Sequence, residues 1–422
     1  MLEKPKLFLT LKQFWFSMIF LFLLLLVRLF SLYDDYTEFK EKPLFYTDVD
    51  VIQAYEKWHD NNYYTVMKLY APTLNITFFS RTKIRADELT SHLRLKLFPR
   101  RDMLFRDYLG ISFIYSNVNQ IYENSSFKSK ALSWVESQHE TLSISNFYNA
   151  IYFAEPLNKE LRQQVSRLGI SHLIALSGFH LAILSTLLFF ILRPLYRFFQ
   201  QRYFPYRFDL LDVGFVVLTL LAWYLWFVDT PVSLLRSYIM MFMGWIFLLL
   251  GVELITLSFL TTITLLLLAI FPKLLLSLSF WFSISGVFYI FLLLHYGRKL
   301  NGYLMTVLIS FGLFILMLPI VHSIFSLVSP LQLLSPFLSL LFSIYYPISM
   351  GFHLIGLGSF ADSGLEWLFH LKSLERDTFL SFWWAGFYIL LSLGAFYFKK
   401  LFYLLLLVSF SYFIGLFIGF LL

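Results

Sequence analysis

The chemistry this chain could carry concentrates in one run, Gly169-Ile170-Ser171-His172-Leu173-Ile174-Ala175-Leu176-Ser177-Gly178-Phe179-His180-Leu181, where two histidines sit inside an otherwise apolar stretch. Ionisable groups in such surroundings face a helix-bundle interior or a water-filled path. The pair Ser177-Gly178 permits a close helix approach, a kink or a broken helix. Three readings of His172, Ser177, Gly178 and His180 follow. They line a path, or the histidines hydrogen-bond neighbouring helices, or Ser177 and His180 act as nucleophile and base from one helix face. For the third, no acidic residue lies nearby in sequence to orient the base. A second cluster runs from Asp229 to Met241 and sets Arg236 beside apolar residues, either snorkelling to headgroups or turned inward toward an anion or carbonyl.

Other chemistries are excluded by spacing. The nine histidines, at 59, 92, 139, 172, 180, 295, 322, 353 and 370, form no H-x-H or H-x-x-x-H pair, and there is no cysteine. Short-spaced zinc motifs, thiolate nucleophiles and disulfides are therefore absent, and no metal or cofactor is expected. No G-x-x-x-x-G-K-[ST] occurs, so no ATP motor is expected within the chain, and no enzymatic activity either.

The elements that position these residues belong to a membrane protein. Of 422 residues, 59% are hydrophobic, 21% aromatic and only 14% charged, more apolar side chain than a soluble fold can hide. The expected fold class is a polytopic α-helical membrane protein of about ten spanning helices with an inserted small β-rich extramembrane domain. Residues 1–32 form an N-terminal anchor whose apolar run is Phe14 to Leu32, with the basic flank inside and Asp34, Asp35 and Glu38 outside. Nine further spans are expected at about 173–192, 210–228, 237–252, 255–271, 274–296, 303–325, 331–351, 379–398 and 401–421, within a polytopic domain covering 168–422. Lys399 and Lys400 fall on the outer side of this count, so either the count slips by one or 353–377 lies along the membrane.

Between them, 33–167 mixes polar and charged residues and lacks any spanning window. Its hairpin signal is Tyr64 to Tyr70, a break at Ala71-Pro72-Thr73, then Leu74 to Phe79; short strands are expected at His92 to Leu97 and Ile111 to Val118. A basic strip follows: Arg81, Lys83, Arg85, Arg94, Lys96, Arg100, Arg101 and Arg106 against Asp87, Glu88 and Asp102. It is either a solvated face or a row of phosphate contacts. Tyr63, Tyr64, Tyr70, Phe78 and Phe79 are either base-stacking platforms or core. The net charge of +7 suits basic loops and suits a protein that handles a polyanion.

The run Gly169 to Leu181 resembles the signature of the ComEC competence protein family, approximately G-[IV]-x-H-L-L-A-I-S-G-L-H-V. The stretch Thr230 to Met241, with Arg236 and Met240, is similar to that family's turn with its Arg and Met, and Pro272-Lys273-Leu274 through Gly286 to its next segment. Phe98-Pro99-Arg100-Arg101 to Asp107-Tyr108-Leu109 is similar to the N-P-G-x-F-D-x-x-x-Y-L passage, without its Asn and Gly. The resemblance implies an anchor, an OB-like periplasmic domain at 33–167, and a channel in the inner membrane importing single-stranded DNA during natural transformation. It implies as partners single-stranded DNA, the lipid bilayer, a periplasmic DNA receptor and a cytoplasmic helicase-like ATPase; assembly into a homo-oligomer is left open. Many members carry a metallo-β-lactamase-like domain, but no H-x-H-x-D-H motif occurs here, so nuclease activity is not expected. Two other classes stay open. A small-solute transporter would show internal repeats, and an intramembrane hydrolase would depend on Ser177.

Overall fold

A computed structural model describes residues 7–8, 10–59, 62–90, 92–122, 127–251, 253 and 255–420. The chain divides into two compact units, Leu7–Ala131 with Thr261–Trp281, and Leu132–Leu260 with Phe282–Leu422.

The first unit begins with α1 (Leu11–Glu41), whose N-cap Thr10 forms a reciprocal capping box with Gln13. Its exposed Trp15, Phe16, Phe20 and Phe30 suit a lipid-facing surface. The helix runs nine residues past the expected end at Leu32 because its last turns serve a different core. Tyr36 and Phe39 are buried among strand residues, and the Tyr36 hydroxyl donates to the Met103 carbonyl at 2.6 Å.

That core lies inside a sheet of β1 (Phe45–His59), β2 (Asn62–Ala71), β3 (Ile76–Thr82), β4 (His92–Phe98), β5 (Ile111–Phe113) and β6 (Tyr115–Ile121), with the short helix α2 (Phe105–Leu109) before β5. The strand order is β5-β3-β2-β1-β4-β6, antiparallel throughout except for the parallel pair β3–β5. The outermost strands β5 and β6 are one run of chain separated by Ile114, which is buried and whose N–H donates to the Phe79 carbonyl at 2.9 Å. The sheet therefore closes on itself. Period-two alternation fills the interior: Leu93, Leu95 and Leu97 are fully buried while Arg94 between them faces out. The expected hairpin is present as β2 and β3, joined through Asn75, whose φ of 50° the tight turn requires. The long strand β1, absent from the sequence reading, pairs with both β2 and β4 and is what allows closure.

The second unit is helical. Its early helices are α3 (Phe127–Glu136), of which Leu132 onward belongs here, α4 (Leu142–Phe153), α5 (Lys159–Arg167) and α6 (Ser171–Ile174). Residues 127–167, read from sequence as the end of the β-rich segment, are thus helices, and 132–167 group with the later ones. Polarity hid this for α5, while α4 is too short to register as a span although nearly every residue in it is buried. Then follow α7 (Gly178–Tyr203), α8 (Asp209–Phe227), α9 (Val232–Leu249), α10 (Leu257–Ile270), α11 (Leu278–Tyr296), α12 (Gly302–His322), α13 (Ser335–Leu354), α14 (Asp362–Phe369), α15 (Phe382–Tyr397) and α16 (Lys399–Ile418). Parts of α10 and α11 fall in the first unit.

Among the described residues, seven helices are long and apolar enough to cross a membrane: α1, α7, α8, α11, α12, α13 with the turn before it, and α16. The shorter apolar helices α9, α10 and α15 occupy the other three expected spans. The stretch 353–377 is no span; it holds a 3-10 turn, α14, and the strand β8 (Arg376–Asp377) paired with β7 (Leu327–Val328).

Candidate functional site: a broken helix and a basic barrel face

The motif run folds as a helix break. Gly169, at φ +68°, ends α5, and a Cβ there would stand 3.1 Å from the Gln332 side chain. Its carbonyl accepts from the Ser335 hydroxyl at 3.0 Å, tying the entry of the break to the start of α13. After the single turn α6 the backbone extends through Ala175 to Ser177, and α7 begins at Gly178.

Ser177 is the N-cap of α7. Its hydroxyl accepts from the Phe179 N–H at 3.3 Å, while Nδ1 of His180 accepts from the Ser177 N–H at 3.3 Å, a reciprocal box with histidine in the third position. Because Nδ1 accepts that N–H, the neutral ring carries its proton on Nε2, which is buried and has no hydrogen-bond partner among the described residues. The ring packs edge-on against Tyr346 at 4.9 Å and Phe342 at 5.2 Å, both on α13. Ser177 and His180 therefore meet as a helix cap: Ser177 is extended and stands just before α7, not on one helix face with His180.

The two motif clusters meet. The Ser233 hydroxyl of α9 donates to the Leu176 carbonyl at 2.7 Å, supplying a partner to backbone exposed by the break. A Cβ on Gly178 would lie 2.8 Å from Ser237 Oγ, so only glycine lets α7 approach α9 this closely. Arg236, between these serines, is 5% exposed. Its side chain is buried against the protein, not extended to the surface as a snorkelling arginine would be. Asp229 and Thr230 both hold positive φ, 62° and 48°, in the turn that launches α9 through Pro231. His172 and Ala175 are exposed while Leu173, Ile174 and Leu176 are buried, so the break presents one accessible side.

In the β unit the basic strip separates into three groups. Arg81, Arg94 and Lys96 stand on the outer barrel face. Lys83 and Arg85 lie on the loop after β3, and Arg100 and Arg101 on the turn after β4, all four exposed. Arg100 is committed to Asp102, its Nε at 3.1 Å, and this hydrogen bond holds the Asp102 carboxyl below the usual carboxylate range. On the barrel face cations alternate with rings. The Arg81 guanidinium lies 5.7 Å from the Tyr115 ring, and Lys96 Nζ lies 5.4 Å from Phe98 and 5.7 Å from Tyr46. Tyr115 is directly opposite Phe98 across β6 and β4, and Tyr46 opposite Lys96 across β1 and β4, so these contacts form one row over four strands. Arg94 stands beside it, opposite Asp48.

The aromatics singled out in sequence are mostly not in this row. Phe78 is core, and Tyr63, Tyr64, Tyr70 and Phe79 are half-buried, whereas Tyr46 and Tyr115 are exposed. Only the strand register, which sequence alone left open, brings Tyr46, Phe98 and Tyr115 beside Arg81 and Lys96.

Lys273, within the third motif segment, also belongs to this unit. Its ammonium donates to the Asn75 carbonyl and sits 5.0 Å from the Tyr108 ring. Burial lowers its pKa to about 8 against the opposing pull of Asp35, and burial raises that of Tyr108 to about 12.

A family model described as Competence protein matches residues 154–422, a range that contains the helix break, Arg236 and the Pro272 to Gly286 segment. No curated protein and no solved structure matches the chain.

Proposed function

This chain belongs to the Competence protein family, a membrane protein with a role in competence, and on that premise we propose that it is the inner-membrane channel through which single-stranded DNA enters the cell. The observation that carries the reading is the helix break at Ala175 to Ser177, capped by Ser177 and His180 and braced by α9 beside buried Arg236. Discontinuous helices braced by neighbours are how membrane proteins place polar backbone along a transport path. His172, Ser177, Gly178, His180 and Arg236 shape that path in this reading.

The β unit receives the strand. Its closed order, β1-β2-β3 then β5/β6 and β4 back to β1, is that of an OB barrel, which supports the OB-like reading. The row of Arg81, Tyr115, Phe98, Lys96 and Tyr46 alternates charge for phosphate with rings for bases, the combination that holds single strands without sequence preference. In this proposal the barrel lies in the periplasm, where a DNA receptor delivers to it. A cytoplasmic helicase-like ATPase supplies the pull, and the chain itself catalyses no reaction. The hydrolase alternative is weakened by the use of Ser177 and His180 as a helix cap.

The test is uptake of fluorescent DNA, scored separately in periplasm and cytoplasm, in cells with and without the protein. DNA held in the periplasm of the deleted strain supports the channel. Undiminished cytoplasmic entry removes it and moves a small-solute transporter to the front.

A further inference from the structure

The helical unit buries a second polar cluster that the motifs do not touch. His139, in the turn between α3 and α4, has a fully buried side chain. Its Nδ1 lies 2.9 Å from Oδ2 and 3.1 Å from Oδ1 of Asp362, the first residue of α14. Its Nε2 lies 2.9 Å from Nε2 of His353, near the end of α13 and 3% exposed. Nδ1 of His353 in turn lies 2.7 Å from the Ser349 carbonyl.

These contacts fix a proton count. A carbonyl only accepts, so His353 Nδ1 carries hydrogen, which leaves Nε2 of the neutral ring a lone pair. The contact between the two Nε2 atoms needs a second proton, and the contact of His139 Nδ1 with the carboxylate needs a third. Two neutral imidazoles and an ionised Asp362 supply only two. The third sits between Asp362 and the His139 ring, and we place it on the ring, as an imidazolium whose charge Asp362 balances, so the cluster is neutral when filled. Remove that proton and either two lone pairs oppose each other at 2.9 Å or a bare Nδ1 faces the carboxylate; one of the contacts is lost in either tautomer.

We propose that Asp362, His139 and His353 form a binding site for one exchangeable proton, and that the bound proton clamps the end of α13 to α14 and to the turn after α3. The remaining titratable groups around the cluster have their own partners. From α4, Tyr148 stacks on His139 and bonds Tyr345, and Tyr152 donates to Ser349 Oγ at 2.7 Å while its hydroxyl oxygen lies 3.3 Å from His353 Nδ1, where the ring N–H that bonds the Ser349 carbonyl is shared with it. Glu136 accepts from Asn149, and Glu366 of α14 accepts from Thr141. Among the described residues no lysine or arginine forms a salt bridge with Asp362, so the imidazolium is its counter-charge. Gly358 closes over the site: a Cβ there would stand 2.6 Å from His353 Nε2. The same face of α13 carries Tyr346 and Phe342 against His180, so the clamp acts on the helix that packs the broken motif. Buried carboxylate–histidine chains of this kind are how membrane proteins hold protons along a bundle.

The experiment is nitrogen-15 NMR of histidine-labelled full chain in lipid nanodiscs at pH 8, well above the ordinary histidine pKa of about 6.5. We expect imidazolium signal from one ring among the nine histidines, lost in Asp362→Asn. A spectrum of the wild-type chain with no imidazolium at pH 8 overturns the proposal even if the variant fails to fold. So does a preparation holding one equivalent of zinc with metal-bound imidazole shifts.

Discussion

Gly178→Ala tests the closest approach in the broken-helix site. The added methyl would lie 2.8 Å from Ser237 Oγ and 3.1 Å from Ser237 Cβ, well inside van der Waals contact. Rotating Ser237 relieves only the first clash and gives up its 3.0 Å hydrogen bond to the Ser233 carbonyl. Ser233 is the residue that holds the Leu176 carbonyl, so a shift of α9 propagates into the break. Overpacking of this kind costs about 1–3 kcal/mol, roughly a 5- to 160-fold loss in the folded ratio. Ser237→Gly removes both offending atoms at a propensity cost of roughly 0.5 kcal/mol. The double variant should therefore be more stable than the sum of the singles by about 1–2 kcal/mol, in the range expected for residues in contact. Thermal unfolding in nanodiscs reads the cycle, and DNA uptake per molecule should follow the same pattern. Strict additivity, or a neutral Gly178→Ala, would refute the close packing of α7 on α9.

Ser177→Ala should cost about 1 kcal/mol through loss of the cap, and Ser177→Asn, an equally good N-cap, should restore most of it; an Asn variant that folds at wild-type stability yet abolishes uptake would show that the hydroxyl does more than cap. On the barrel face, Tyr115→Ala should weaken single-stranded DNA binding by the full chain by about 1–3 kcal/mol. Lys96→Ala should lower the salt slope of that binding by about 0.7, while Arg100→Ala, whose charge Asp102 already engages, should change it little; equal effects at positions 96 and 100 would speak against the row as the contact surface. Lys273 has a folded pKa of about 8, below its unfolded value, so between pH 8 and 10 the unfolded chain binds more protons and stability should rise with pH. Lys273→Met should flatten that rise in the melting temperature, and an unchanged slope would contradict the burial of this ammonium.

Sequence made the membrane helices legible because about twenty consecutive apolar residues have few other uses; every expected span has a helix over it. It also placed the hairpin and the residues of the break. What it could not deliver depends on distant pairing. β1 was hidden because Asp48, Asp50, Glu56 and Lys57 interrupt its apolar alternation, and nothing in 45–59 announces that it will pair on both sides. α4 is apolar but 12 residues long, below the length that marks a span. His139 and His353 stand 214 positions apart, so no spacing rule could join them. The cap role of Ser177 was open to sequence reading in principle, since Ser followed three residues later by a hydrogen-bonding side chain is the pattern of a capping box.

The central claim is that DNA passes along the helix break, and the chain's lack of cysteine makes a direct test clean. A single cysteine placed at Ala175, on the accessible side of the break, or at Phe190, 76% exposed on α7, is coupled to a photoactivatable thiol reagent, and labelled DNA is arrested during uptake. The account expects DNA crosslinks at position 175 and none at position 190. Uptake that proceeds without any crosslink at 175, or with equal crosslinking at 190, would contradict it.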